Sequence, residues 1–213
     1  MSGLMTPAIV AFGTGFATGL SLIIAIGAQN TFVLRQGLMR RHIFAVALFC
    51  ATSDALLISA GVGGISLFIA EFAGRHSTLL FGLGGLWLIF YGVLRLLDAI
   101  RGEGRIAHAN KAQTGVIPTL AFTAVLTFCN PHVYLDTVVL IGAVSLQFEA
   151  LNKLYYGLGA AISSFVFFFS LAYGARFLAP YMESSNAWRI LDAGIAIVMF
   201  ALALSMLRAG GLI

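Results

Sequence analysis

The sequence predicts an all-α integral membrane protein of about six transmembrane helices, arranged as two inverted three-helix repeats with broken helices. Three observations lead there. The first is charge. Only 9% of the 213 residues are charged, whereas a soluble domain carries about 25%. So few charges cannot cover a surface facing water, while 60% hydrophobic residues and a mean hydropathy of +0.99 suit one facing lipid. The second is run length. A transmembrane helix needs about 20 mainly apolar residues, and the runs 8–34, 43–70, 78–97, 116–146, 154–178 and 187–207 meet that requirement. The third is parity. The longest polar segment, 98–115, holds Arg101, Glu103, Arg105, His108 and Lys111 and divides the chain into halves of about 1–97 and 116–213. A unit of three helices has odd parity, so a second copy enters the membrane upside down, as in many transporters. The whole of 1–213 then reads as a single membrane transport domain.

The elements follow in order. Met1 to Pro7 has no Lys or Arg, so it lacks the basic start of a signal peptide and the first run is expected to be a retained helix. That run carries Gly15 and Gly19, a GxxxG pair, and the fifth carries Gly157, Ala160 and Ser164. Small residues of this kind let helix backbones approach closely in lipid. Gly61, Gly63 and Gly64 cluster in the second run. The first, second and fourth runs are long enough to be tilted, kinked or broken. Arg189 and Asp192 at the start of the sixth run, like Arg95, Asp98 and Arg101 at the end of the third, have the spacing of pairs that anchor helix ends. Trp188, Tyr155 and Tyr156 suit an interfacial aromatic belt.

The net charge of +4 reads as topology rather than nucleic-acid binding, because the basic residues lie mostly between apolar runs and no basic-aromatic interleaving is present. One side collects Arg35, Arg40, Arg41, Arg95, Arg101, Arg105, Lys111 and Arg176, and the other Arg75, Lys153 and Arg208. The richer side is expected to be cytoplasmic, with both termini outside if all six runs span. Cys50 and Cys129 both fall in apolar runs without a CxxC, which excludes a secreted disulfide framework.

Polar residues deep in apolar runs are the candidates for chemistry. A charge at a helix centre costs about 2.5–3.5 kcal/mol on insertion scales. Asp54 lies about eleven residues into the second run, with only Thr52 and Ser53 as polar neighbours in sequence. It reads as a cation or proton site, or else as a structural pair with an Arg from another helix. Asp136 follows Asn130, Pro131 and His132 in the fourth run. Pro131 cannot donate a backbone hydrogen bond and clashes with the preceding turn. A break is therefore expected near 127–130, with Asn130 as N-cap and Pro131 as the first position of a new half-helix. Such a start presents a positive dipole end to an anionic group. A plain proline kink is the alternative, and it leaves the Asn-Pro-His-x-x-x-Asp cluster unexplained. Gln29 and Asn30 are the weaker parallel in the first run, after Gly27. They read either as a substrate site or as a polar helix end near the cytoplasmic surface. Cys129, His132 and Asp136 make a poor metal site, because Pro131 disturbs their spacing and a metal needs at least three firm ligands.

The string Ile26-Gly-Ala-Gln-Asn-Thr-Phe-Val-Leu-Arg-Gln-Gly37, then Ser53-Asp-Ala-Leu-Leu57 and Gly61-Val-Gly-Gly64, resembles the LysE/ArgO family. Asn130-Pro-His-Val-Tyr-Leu-Asp-Thr137 matches that family's central motif, and the resemblance covers essentially the whole chain. It implies a multi-pass exporter of lysine or arginine in the bacterial cytoplasmic (inner) membrane, working by exchange with protons. No ATP is expected, in keeping with the absence of a GxxxxGK[ST] pattern, and no cofactor or metal. Neutral amino-acid exporters of the wider superfamily carry a Gly-Pro-like element where this chain has Gly27-Ala-Gln-Asn30, which favours basic cargo. The expected substrate-binding residues are Gln29, Asn30, Asp54, Asn130, Pro131 and Asp136, with Asp54 and Asp136 also coupling protons. Either carboxylate could hold either cationic end by charge-assisted hydrogen bonds. Three alternatives stand beside this: a neutral amino-acid exporter, a divalent-metal exporter using Asp54, His132 and Asp136, and a thiol-disulfide electron carrier using Cys50 and Cys129. The expected partners are the transported amino acid, protons and the lipid bilayer, and the small chain is compatible with a homodimer.

Overall fold

A computed structural model of the chain describes residues 2–24, 27–101, 115–182 and 184–213. Among these every regular element is helical. Helix α1 is Ser2–Ile23 and α2 is Ala28–Leu38; α3 (Ile43–Ala60) runs through a π-helical turn, Gly61–Ile65, into α4 (Ser66–Arg75). Helix α5 is Ser77–Arg101 and α6 is Val116–Phe128; α7 (Pro131–Tyr134) runs through a second π segment, Leu135–Leu140, into α8 (Ile141–Ser145). Helix α9 is Ala150–Gly174 and α10 is Ser185–Ala209, with short 3-10 turns between them.

Four helical stretches are long and apolar enough to cross a membrane: Ile43–Ile65, Thr78–Arg101, Leu151–Phe177 and Asn186–Ala209. Two bent pairs, Pro7–Ile23 with Ala28–Leu38 and Val116–Phe128 with Pro131–Ser145, bring the total to six if each pair crosses once. All three runs whose length suggested an interruption are interrupted. In the second, Gly64 takes φ 111° and ψ 0°, a left-handed conformation that costs a side-chain-bearing residue energy and glycine almost nothing. Of the polar segment 98–115, residues 98–101 complete α5, and Glu103, Arg105, His108 and Lys111 lie outside the described residues.

The chain forms two compact units, and each takes segments from both halves of the sequence. The first is Met1–Ala25, Ala47–Arg75 and Asn130–Ser170. Here glycine sets the helix spacing. A Cβ on Gly15 would overlap the Tyr156 backbone, one on Gly19 would meet Ser163 and Ala160, and one on Gly159 would overlap the Phe12 carbonyl. The GxxxG pair is thus the contact face of α1 against α9. Gly61 and Gly142 do the same between the two π-containing helices, a Cβ on Gly61 falling 2.5 Å from the Val138 carbonyl oxygen. Ala11, Ile58, Val62, Ile141, Tyr156 and Ala160 form the buried core of this unit. Tyr156 is fully buried, so it is a core residue and not part of an aromatic belt.

The second unit is Ile26–Val46, His76–Cys129 and Leu171–Ile213. Helices α5 and α10 pack along their length, with Gly85 against Leu207 and Gly92 against Phe200. Phe32 of α2 packs on Phe122 of α6 at 5.1 Å between ring centroids, and Tyr91 of α5 on Phe122 at 6.0 Å. Trp188 lies in a buried cluster with Leu38 and Ala175, so it too belongs to a core rather than the expected belt. The large exposed side chains include Leu56, Ile117, Ile190 and Ile197, and on a chain with so little charge such residues face lipid.

Candidate functional site

The break in the fourth run is built as Pro131 requires. Helix α6 closes at Phe128, and the Cys129 N–H donates to the Val125 carbonyl at 3.0 Å. Asn130 is extended (φ −99°, ψ 106°), and its side-chain oxygen accepts from the His132 N–H at 3.1 Å. Asn130 is thus the N-cap and Pro131 the first helical residue. The Val133 N–H also returns to the Asn130 carbonyl, at 3.2 Å. The first donors of the half-helix are therefore already used, and what it offers a ligand is the field of its positive end. On the other side of the break Thr119, Thr123 and Thr127 repeat every fourth residue. Each hydroxyl donates to the carbonyl one turn back, at 3.1, 2.8 and 2.9 Å. This pattern hides hydroxyls in an apolar helix and loosens its ladder.

Asp136 sits half-buried in the π segment. π turns are rare and often occur at functional sites. Asp54 lies on α3, 4% exposed, and accepts a hydrogen bond from the Ser164 hydroxyl of α9 at 3.3 Å. Among the described residues no basic side chain is ion-paired with it, so the structural pair with an Arg is absent there. Asp54 and Asp136 belong to the same unit and interact electrostatically. The structure therefore brings Asp54, Asn130, Pro131 and Asp136 into the first unit. Gln29 and Asn30 belong to the second. They open α2 behind an extended Gly27 that carries no side-chain cap. Gln29 is 6% exposed, and its amide nitrogen has no hydrogen-bond acceptor among the described residues.

Residues 20–210 match the family described as LysE type translocator. The chain belongs to the LysE family. It is 36% identical over 196 residues to the arginine exporter protein ArgO of Salmonella paratyphi A, covering 92% of each chain. It is 38% identical over 193 residues to YggA of Aeromonas salmonicida, whose name assigns it provisionally as an amino-acid transporter, covering 90% of this chain and 93% of that one. A protein of Mycobacterium tuberculosis with a similarly provisional transporter name is 39% identical over 188 residues. No solved structure matches significantly. Family and helices together make this a multi-pass protein of the bacterial inner membrane.

In this LysE-family translocator the spacing along α5 holds, since Arg95 pairs with Asp98, while the spacing along α10 does not. Arg189 and Asp192 do not pair as their spacing suggests. Arg189 instead donates to the Ala99 and Ile100 carbonyls at the end of α5, at 2.8 and 3.3 Å. Asp192 is fully buried, with its Oδ1 3.2 Å from Arg35 and 3.5 Å from Arg95. Arg95 also reaches Asp98 at 3.0 Å and lies 5.1 Å from the centre of the Tyr91 ring. Arg35 and Arg95 thus belong to an internal network and are not loop charges that mark topology. Cys50 is buried and Cys129 exposed, and no disulfide joins them. Among the described residues no three His, Cys, Asp or Glu side chains cluster as metal ligands do.

Proposed function

We propose that the chain exports basic L-amino acids, lysine or arginine, across the cytoplasmic membrane in exchange for protons. The observation that carries this reading is Asp54: a carboxylate buried on an apolar helix, hydrogen-bonded by the Ser164 hydroxyl and not ion-paired to any described basic residue. A buried charge calls for a counter-ion, and the cationic end of a basic amino acid, or a proton, supplies one. Asp136, in the same unit and electrostatically linked to Asp54, provides for a second cationic group. The half-helix that opens at Asn130 and Pro131 supplies a positive field for the carboxylate. For Gln29 and Asn30, a part in orienting the substrate rests on the sequence motif alone. The relatives named as arginine exporter support this choice of cargo over metal ions or thiol chemistry.

Energetics supports the exchange. Moving a monocation out against a negative-inside potential costs about 2.3 kcal/mol per charge per 100 mV. One proton entering for each cation leaving cancels that cost, and a carboxylate that binds either the proton or the cargo enforces the trade. Of the three interrupted runs, the first and the fourth consist of separate bent helix pairs; they are corresponding members of the two halves, which supports the inverted three-helix repeats.

The test is efflux from cells preloaded with a lysine- or arginine-containing dipeptide, with and without the protein. Faster appearance of the free basic amino acid outside, abolished by a protonophore, is expected. No change for either amino acid with well-expressed protein overturns the reading.

A further inference from the structure

The network of Arg35, Arg95, Asp98 and Asp192 lies wholly within the second unit and has no role in the reading above. Its members come from three helices: Arg35 from α2, Arg95 and Asp98 from α5, and Asp192 from α10. It is costly. Arg35, Arg95 and Asp192 are 7%, 15% and 0% exposed at their side chains, the last two in helices long and apolar enough to cross a membrane. It is also incompletely satisfied, since Asp192 Oδ2 and Arg95 Nε are buried without a hydrogen-bond partner among the described residues. A half-satisfied buried polar network is less stable than an apolar core of the same shape. Its presence therefore calls for a reason other than stability.

The geometry suggests one. Both arginines address the same oxygen of Asp192, Arg35 at 3.2 Å and Arg95 at 3.5 Å. If Arg35 leaves, Asp192 keeps Arg95, and Arg95 keeps Asp98 and Tyr91. The pairing between α5 and α10 would survive such a departure, and the segment released from Asp192 would be α2. This helix is only 11 residues long, carries Gln29 and Asn30 at its start, and follows the break at Gly27.

We propose that Arg35 and Asp192 are positioning residues of the transport cycle. Asp192 latches α2, and with it Gln29 and Asn30, onto α5 and α10; Arg35 is the part that releases, and Arg95 is the standby partner that keeps Asp192 paired while the latch is open. The inference rests on the proposed function for its cargo alone; the latch itself can be tested without any substrate.

The reporter is a cysteine at Gly27, where a Cβ meets no atom within 4 Å. It is placed in a full-length chain with Cys50 and Cys129 replaced by Ala, in membranes. Asp192→Asn and Arg35→Met are each expected to speed alkylation of the reporter by about tenfold, and the double variant by about the same factor rather than about a hundredfold, as for two residues acting through one contact. Arg35→Lys keeps the charge without the guanidinium fork and is expected to fall between, which keeps the test open if a neutral variant inserts poorly. In arginine efflux the same variants are expected to raise the half-saturating internal concentration more than they lower the maximal rate, a split that general destabilisation does not produce. Alkylation within twofold of the parent in all variants, or effects that multiply in the double variant, would overturn the latch. Altered alkylation in a chain that exports neither lysine nor arginine would keep the latch and remove the cargo assignment.

Discussion

Replacing Gly61 with alanine tests how the fold places Asp136. The added Cβ would lie 2.5 Å from the Val138 carbonyl oxygen and 2.9 Å from the Val138 Cα. Both are backbone atoms of the π segment Leu135–Leu140 that carries Asp136, so no side-chain rotation relieves the overlap. The segment must retreat by about 0.5 Å to reach even a tight contact, and overpacking of this kind costs about 1–3 kcal/mol. For a chain of this length that is a melting-temperature loss of about 2–12 °C. If Asp136 holds the cargo as proposed, a shift of this size is expected to lower export by something on the order of tenfold, since a 1 Å misplacement can cost about 100-fold. Gly63→Ala is the matched control. It changes the same π turn, but its Cβ meets nothing within 4 Å, and replacing a helical glycine is expected to add roughly 0.5–1 kcal/mol of stability. Thermal melts of the purified protein in detergent and efflux at matched membrane abundance read both. Identical behaviour of the two variants would refute the claim that the Gly61 contact positions the Asp136 segment.

The remaining predictions concern the charges, the cap and the thiols. Asp54→Asn and Asp136→Asn, at matched abundance, are each expected to bring proton-linked efflux of lysine or arginine close to background, and wild-type rates in both would sink the coupling role. Asn130→Ala removes the cap on the His132 N–H and is expected to cost about 1 kcal/mol. Asn130→Asp keeps the acceptor and should melt near the parent, so equal losses from the two would mean that the cap contributes nothing. The double Cys50→Ala, Cys129→Ala variant is expected to export at the parental rate; its failure, with protein present in the membrane, would bring the thiol-disulfide reading forward.

Sequence and structure contribute differently to the candidate site. Pro131 speaks for itself, because a missing N–H and a steric clash act within one turn whatever surrounds them, and Asn130 follows as its cap. Asp54 is equally plain, since a carboxylate in the middle of an apolar run is improbable without a purpose. What neither residue reveals is its company. Ser164, marked only as one of three small residues at helical spacing, turns out to hold Asp54. The small-residue stripe of α9 itself divides, with Gly157 meeting Val62 while Ala160 meets Gly19.

The buried charges make the same point more sharply. Spacing along a helix says which side chains share a face, so Arg189 and Asp192 looked like a local pair. It does not say what that face meets. Packing sends Arg189 to the end of α5 and Asp192 to Arg35 and Arg95, residues far from it along the chain. Trp188 and Tyr156 were assigned to the membrane interface for the same reason: an amphipathic ring suits that interface, but only neighbouring helices determine whether it reaches one. Composition and run length settled the class of this protein, and the local stereochemistry of proline settled the break at Asn130 and Pro131, because those effects act over a turn or two of helix. The pairing of its intramembrane charges and the burial of its aromatic rings depended on which helix faces meet, and that is decided by the packing of segments distant in the chain.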